Sequence, residues 1–191
     1  MNNLLSEIRD CTICKEFLPL GPRPVLSAHK KSKIIIIGQA PGTKVHKSGI
    51  PWDDQSGKRL RSWLNVDNET FYNPEIFGII PMGFCYPGKG KSGDLPPRKE
   101  CAPQWHQLLW DEMKEVKLVL LIGQYAQKYY LKEKAKRTLT ETVWNYGEYL
   151  PEFFVLPHPS PRNGIWLKKN DWFEKEVVPN LTERVKLILE G

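Results

Sequence analysis

The 191-residue chain carries 28 Lys and Arg against 22 Asp and Glu, a formal net charge of +6, and 40% of its residues are apolar. That length supports one domain with a core large enough to need no disulfide staples, and the apolar share argues against wholesale disorder. No stretch approaches twenty apolar residues and the N-terminus lacks the apolar core of a signal peptide, so a cytoplasmic protein without a membrane span is expected. The positive charge leans towards a polyanionic partner, although a solvated basic face explains +6 equally well.

Within residues 1–14, LLSEIRD reads as a short helix leading into CTIC, with Cys11 and Cys14 on one tight loop. The chain has two other cysteines, Cys85 and Cys101, in a polar, proline-rich stretch. Without secretion, two disulfides are the weaker explanation, and a redox CxxC lacks the strand–helix pattern of a thioredoxin-type site around Cys11. Four thiolates hold either a zinc ion or a four-iron cluster, and the spacing does not choose between them.

FLPLGPRPVL then reads as an extended connection, since its prolines limit helix. A strand over Lys33–Ile37 follows, apolar on both faces as in a parallel sheet, and it stops at the Gly38 of GQAPG. In open α/β sheets, ligands gather at the C-terminal ends of strands. The segment as far as Gly57 is polar and glycine-punctuated, with Trp52 beside Asp53 and Asp54: poor material for a core and good material for a pocket. After Gly57, KRLRSWL predicts a helix with Leu60, Trp63 and Leu64 on one face, and EIFGII a second strand ending at Pro81.

MGFCYPGKGKSGDLPPRKEC is expected to be a long loop that carries function or a metal, because twenty structureless residues are unusual in a compact domain. A helix over Ala102–Lys114, a strand in VKLVLLIG, a helix in QYAQKYYL, a strand in EFFVLPHPSPRN and a long last helix from Leu167 to Glu190 complete the order. The alternation predicts an α/β/α three-layer fold: a central, mostly parallel sheet of about four strands with helices on both faces.

GQAPG at Gly38–Gly42, GIPWDDQSG at Gly49–Gly57 and HPSPRN at His158–Asn163 together resemble the active-site motifs of the uracil-DNA glycosylase superfamily. The resemblance extends from Cys11 to the last helix, so residues 1–191 read as one domain of this kind. The cysteine arrangement is similar to that of the iron–sulfur branches. It implies that Cys11, Cys14, Cys85 and Cys101 hold a structural [4Fe-4S] cluster, zinc being the alternative. The partner implied is DNA containing a deaminated base, bound by a monomer. The activity implied is monofunctional hydrolysis of the N-glycosidic bond, since no lysine in the motifs is convincingly placed for a Schiff base, with Lys44 and Lys47 remaining as candidates. The alternative is a protein that binds damaged or single-stranded nucleic acid with weak or no excision.

An excised base must leave the stack and enter a pocket. The resemblance implies a pocket formed by Gly38, Ala40, Trp52, Asp53, Pro81 and Met82. Trp52 stacks on the base where the family usually has Phe, and backbone amides around Gln39 and Ala40 hold the base edge or a water. His158 donates to a base carbonyl as negative charge develops. Asp54 orients the water and stabilises the sugar cation, with Asp53 and Gln39 as rivals. Ser160, Arg162, Asn163 and Lys168 are the candidate DNA contacts, against the plainer reading of Lys168 as part of a solvated face. There is one departure: branches strongly specific for uracil usually carry Asn where this chain has Pro81, so recognition is either broader, through main-chain groups, or directed at another base. HPSPRN resembles the single-strand-selective branch more than the iron–sulfur ones.

Overall fold

A computed structural model describes residues 1–191. After helix α1 (Asn2–Arg9), the chain runs through strand β1 (Ile34–Ile37), helices α2 (Thr43–Ser48), α3 (Gln55–Leu64) and α4 (Asn68–Tyr72), and strand β2 (Phe77–Ile79). The mid-chain segment holds a two-strand hairpin, β3 (Lys89–Gly90) and β4 (Gly93–Asp94). Helix α5 (Cys101–Glu112), strand β5 (Leu118–Ile122), helices α6 (Gln124–Leu131) and α7 (Leu139–Trp144), strand β6 (Phe153–Leu156), and helices α8 (Gly164–Lys169) and α9 (Val178–Glu190) complete it.

The main sheet has the order β2-β1-β5-β6, all parallel, with Ile36 opposite Ile79 on one side and Leu120 on the other. Its strands are buried on both faces, and alternate residues feed two separate cores. Ile35, Ile37, Val119, Leu121 and Val155 pack with Ile8, Trp105, Leu109 and Ala126 from α1, α5 and α6. Ile34, Ile36, Leu120, Phe154 and Leu156 pack with Leu60, Trp63, Phe71, Leu181 and Val185 from α3, α4 and α9. The result is the expected α/β/α sandwich.

Several local expectations change. The helix predicted after Gly57 starts at Gln55, because the Asp54 side chain caps it by accepting from the Gly57 N–H at 2.8 Å. The helix predicted from Leu167 to Glu190 is broken after Lys169; a π-helical turn at Phe173–Val177 then leads into α9, with Pro179 in its first turn. The long loop is partly ordered by its hairpin, in which Leu95 N–H donates to the Gly88 carbonyl at 2.8 Å. The extended connection before β1 lies along the edge of β2, where Ser27 and Ile79 form an antiparallel bridge.

Candidate functional site

The sheet order places the outer strands β2 and β6 on opposite sides of β1 and β5, and all four run in the same direction. Their C-terminal ends lead into Gly38, Pro81, Gly123 and Pro157–His158. A cleft of about 450 Å³ opens there, walled by Gly38–Gly42, Trp52, Asp54, Pro81, His158 and the hairpin tip. This is the crevice position expected for an open parallel sheet. The strand-end loops that read as pocket material thus meet around one cavity, although far apart in the chain.

GQAPG forms its floor. The backbone N–H groups of Gln39 and Ala40 donate to no group of the protein, so both are free for a ligand. The Gln39 side chain reaches the other way, its Nε2 donating to the Leu95 carbonyl at 3.4 Å. Trp52 sits in the left-handed region with φ 57°, uncommon for a bulky residue. Its indole covers Gly38 so closely that a Cβ there would lie 2.8 Å from Cζ2. A Cβ on Gly57 would fall 1.7 Å from the Trp52 carbonyl oxygen, so only glycine lets α3 begin beneath this turn. Arg61 supports it, donating to the Trp52 carbonyl at 3.4 Å and to the Tyr72 hydroxyl at 3.2 Å.

The Trp52 and His158 rings lie 5.5 Å apart, inclined at 31°. Two aromatic contacts of about 3.5 Å each do not fit in that space, so no further ring fits between the two. Burial lowers the pKa of His158 below the ordinary imidazole value, and the nearby Asp54 charge only partly offsets this. His158 is therefore neutral near pH 7. The Asn163 side-chain amide donates to the His158 carbonyl at 2.7 Å, and the Ser160 hydroxyl accepts from the Arg162 N–H at 3.3 Å, bracing the HPSPRN loop internally. Arg59 ties this loop to α3, donating to the Pro159 and Ser160 carbonyls at 3.4 and 3.1 Å. Asp54 has Oδ1 committed to the helix cap, while Oδ2 accepts from no protein group.

Of the sequence-selected residues, Gly38, Gln39, Ala40, Trp52, Asp54, Pro81, His158, Ser160, Arg162 and Asn163 line this cleft. Asp53 is exposed beside it, Met82 is buried behind Pro81, and Lys168 is exposed on α8; none of these three lines it. Asp94 joins the cleft from the hairpin, and sequence reasoning passed over it because no motif surrounds it. Partial desolvation raises its pKa, opposed by Arg162 and Lys89. Arg162 spans the mouth to the same hairpin, donating to the Ser92 carbonyl at 3.1 Å. Arg59 and Arg61 were legible only as a helical surface.

The family model of the Uracil DNA glycosylase superfamily matches residues 26–182. The chain belongs to that superfamily. Membership brings DNA as the substrate and DNA-glycosylase chemistry of the general kind, and it accounts for a strand-end cleft that offers stacking, anion-binding amides and a carboxylate together. No helix of this uracil-DNA glycosylase superfamily member is long and apolar enough to cross a membrane.

The match begins beyond Cys11 and Cys14. All four cysteines nonetheless line one small cavity with Leu18, Pro24, Phe84, Arg98 and Trp105, and none forms a disulfide. Burial pushes the Cys85 and Cys101 thiols up to about 11 and about 12, with the neighbouring cysteines adding to the rise. Such groups become thiolates at neutral pH only if a cation replaces their protons. Burial and then the Glu100 carboxylate, which accepts from the Cys14 thiol at 3.7 Å, raise the Cys14 pKa; Arg98, paired with Glu100 and 4.1 Å from the Phe17 ring centre, opposes this. No three metal-ligating side chains converge closely enough to enclose a single ion.

Proposed function

We propose that the protein is a monofunctional DNA glycosylase that hydrolyses the N-glycosidic bond of uracil or another deaminated base. The observation that carries this reading is the meeting, in one cleft, of Trp52, the unpaired Gln39 and Ala40 amides, neutral His158 and Asp54. Each has a task in bond cleavage. The extruded base stacks on the indole. As the bond to the sugar breaks, its electron pair passes to the base, and the two main-chain N–H groups and the His158 N–H stabilise the resulting anion. The cationic sugar is left facing Asp54, whose Oδ2 orients a water for attack. The water oxygen bonds to the sugar carbon, and its proton leaves to Asp54 or to solvent, giving a free base and an abasic sugar. Asp53 and Gln39 are the less well placed candidates for this water: the first does not line the cleft, and the second has its amide turned towards Leu95. Ser160, Arg162, Asn163 and Lys168 are assigned to flanking DNA.

Four cysteines lining one cavity support a shared metal centre there, with zinc as the alternative to iron–sulfur. Cys11, Cys14, Cys85 and Cys101 would hold a [4Fe-4S] cluster, whose part is to staple the N-terminal segment to the mid-chain segment. Brown colour with broad absorbance near 400 nm is expected; a colourless, zinc-containing protein would reject it. A second reading, lesion binding with little excision, draws on Pro81, which lacks the amide that reads uracil in the more specific branches.

The deciding experiment incubates the purified protein with single- and double-stranded oligonucleotides containing uracil, hypoxanthine, xanthine or hydroxymethyluracil, followed by alkali. Breaks at one lesion identify the substrate. Tight lesion binding without any break would replace the glycosylase reading with the binding one.

A further inference from the structure

At the end of β2, the main-chain N–H groups and the Pro81 carbonyl are already engaged within the protein. Pro81 has no N–H, while Met82 and Gly83 donate to the Gly38 and Gln39 carbonyls at 2.9 and 3.0 Å. The Pro81 carbonyl faces the Nε2 of His106 at 3.1 Å. Of these three residues, only Pro81 lines the cleft.

His106 is 2% exposed and stacks between Phe84 and Tyr130. A carbonyl oxygen can only accept, so the ring proton must be on Nε2. Nδ1 is then a lone pair and accepts from the Tyr130 hydroxyl at 2.6 Å, and the Tyr130 oxygen in turn accepts from the Trp110 Nε1–H at 3.1 Å. Donation thus runs in one direction, from Trp110 through Tyr130 and His106 to Pro81, and each member fixes the next.

We infer that His106 is a specificity-determining positioning residue: it holds the Pro81 carbonyl out of the cleft, so this wall presents a fixed apolar shape to the base instead of a hydrogen-bonding edge. The inference deepens the glycosylase reading and rests on it for its substrate. Of the two alternatives left by Pro81, broader recognition through main-chain groups or another base, the first then falls to main-chain groups elsewhere in the cleft, since the Pro81 carbonyl and the Met82 and Gly83 N–H groups are engaged within the protein. Discrimination at this wall is by size, between one-ring and two-ring bases, and polar reading passes to the opposite side of the cleft.

The test compares excision of uracil and hypoxanthine from single strands by the wild type, His106→Leu and His106→Gln. Glutamine retains a donor for the Pro81 carbonyl; leucine does not. The hypoxanthine-to-uracil ratio of kcat/KM is expected to rise at least threefold in His106→Leu and to stay within twofold of wild type in His106→Gln. Imidazole nitrogen NMR of the wild type should show a single tautomer protonated on Nε2. An unchanged ratio in folded His106→Leu, or a proton on Nδ1, overturns the inference. If His106→Leu does not fold, Tyr130→Phe replaces it. Loss of that hydroxyl leaves Nδ1 without its donor and the ring less firmly oriented, so the ratio should move in the same direction; a ratio that stays put counts against the inference. If the wild type excises neither base, the glycosylase reading fails, and the same ratio measured as binding to the two strands, together with the tautomer, decides the inference by the same criteria.

Discussion

Burial holds the pKa of His106 down to about 4, against 6.5 for a free imidazole. No charged group contributes to this; the Pro81 hydrogen bond pulls weakly the other way, and the titratable groups packed on the ring are Tyr129 and Tyr130. The sign follows from linkage. Between about pH 6.5 and pH 4 the unfolded chain binds a proton at this residue and the folded one does not, so acid favours unfolding. The contribution is fully present above pH 6.5 and, at pH 5, has fallen by roughly 2 kcal/mol, since each pH step in that window is worth about 1.4 kcal/mol. His46 and His158 are also lowered by burial and lose stability in the same direction, so the wild type alone does not isolate His106. The measurement is therefore a difference. Urea unfolding of the wild type and His106→Gln at pH 7.5 and pH 5 should show the wild type losing about 2 kcal/mol more than the variant. Equal losses would mean that His106 is not held neutral and dry, and the donor chain ending on Pro81 would lose its basis.

The other predictions concern the cleavage side of the cleft. Asp54→Asn should reduce excision more than tenfold while stability stays within about 0.5 kcal/mol, because Asn caps a helix as well as Asp does; Asp54→Ala should lose activity and about 1 kcal/mol as well. Near-full activity in Asp54→Asn would remove the carboxylate from the chemistry. Ala at position 57 would ordinarily strengthen a helix by up to about 1 kcal/mol. The clash with the Trp52 carbonyl reverses that sign, so Gly57→Ala should be destabilised by roughly 1–3 kcal/mol and lose most excision; urea melts showing a gain would refute the described turn. The kcat/KM profile should have its histidine inflexion below pH 6.5, because burial lowers the pKa of His158. Asp54→Asn should move the acid limb lower still, since the Asp54 charge favours the imidazolium; an inflexion at pH 6.5 or above would contradict the lowered pKa of this half-buried histidine.

What was legible in the chain depended on how local the signal was. The four isoleucines and VKLVLLIG announced buried parallel strands because both faces of such strands are apolar, and the sheet has the expected strands. GQAPG and HPSPRN were legible because a glycine or proline must stand where a strand stops and a ligand loop begins. The short helices α2, α4 and α7 were missed: at five or six residues, none completes two turns of periodicity. The break before α9 was hidden because apolar spacing continues through the π-helical turn, with Phe173 and Val177 both buried. The contribution of Asp94 came from a hairpin whose strands have two residues each, too short for any alternation. His106 carries little signal in the sequence, where core and solvent placement are equally open, and the fold buries it. Its meaning lies in Pro81 and Tyr130, which only the fold brings to its two nitrogens.

The first two turns of α3 explain how separate loops become one cleavage site. Asp54 caps the helix, Gly57 admits the Trp52 turn, Arg59 binds the carbonyls of the HPSPRN loop, and Arg61 binds the carbonyl of Trp52. One rigid element thus sets the stacking ring, the carboxylate and the histidine loop relative to one another, the kind of support that bond cleavage needs. Base identity is handled elsewhere: Pro81 is fixed from α5 and α6, through His106, Trp110 and Tyr130, and none of these belongs to α3. The two supports pack on opposite faces of the sheet. They meet at Gly38 and Gln39, whose carbonyls accept from Met82 and Gly83 while the Trp52 indole covers Gly38. Changes on the α5–α6 side should therefore act mainly on which base is taken, and changes in α3 mainly on how fast every substrate is cut. Pro81 can depart from the uracil-reading pattern for that reason, while the cleavage machinery keeps its motifs.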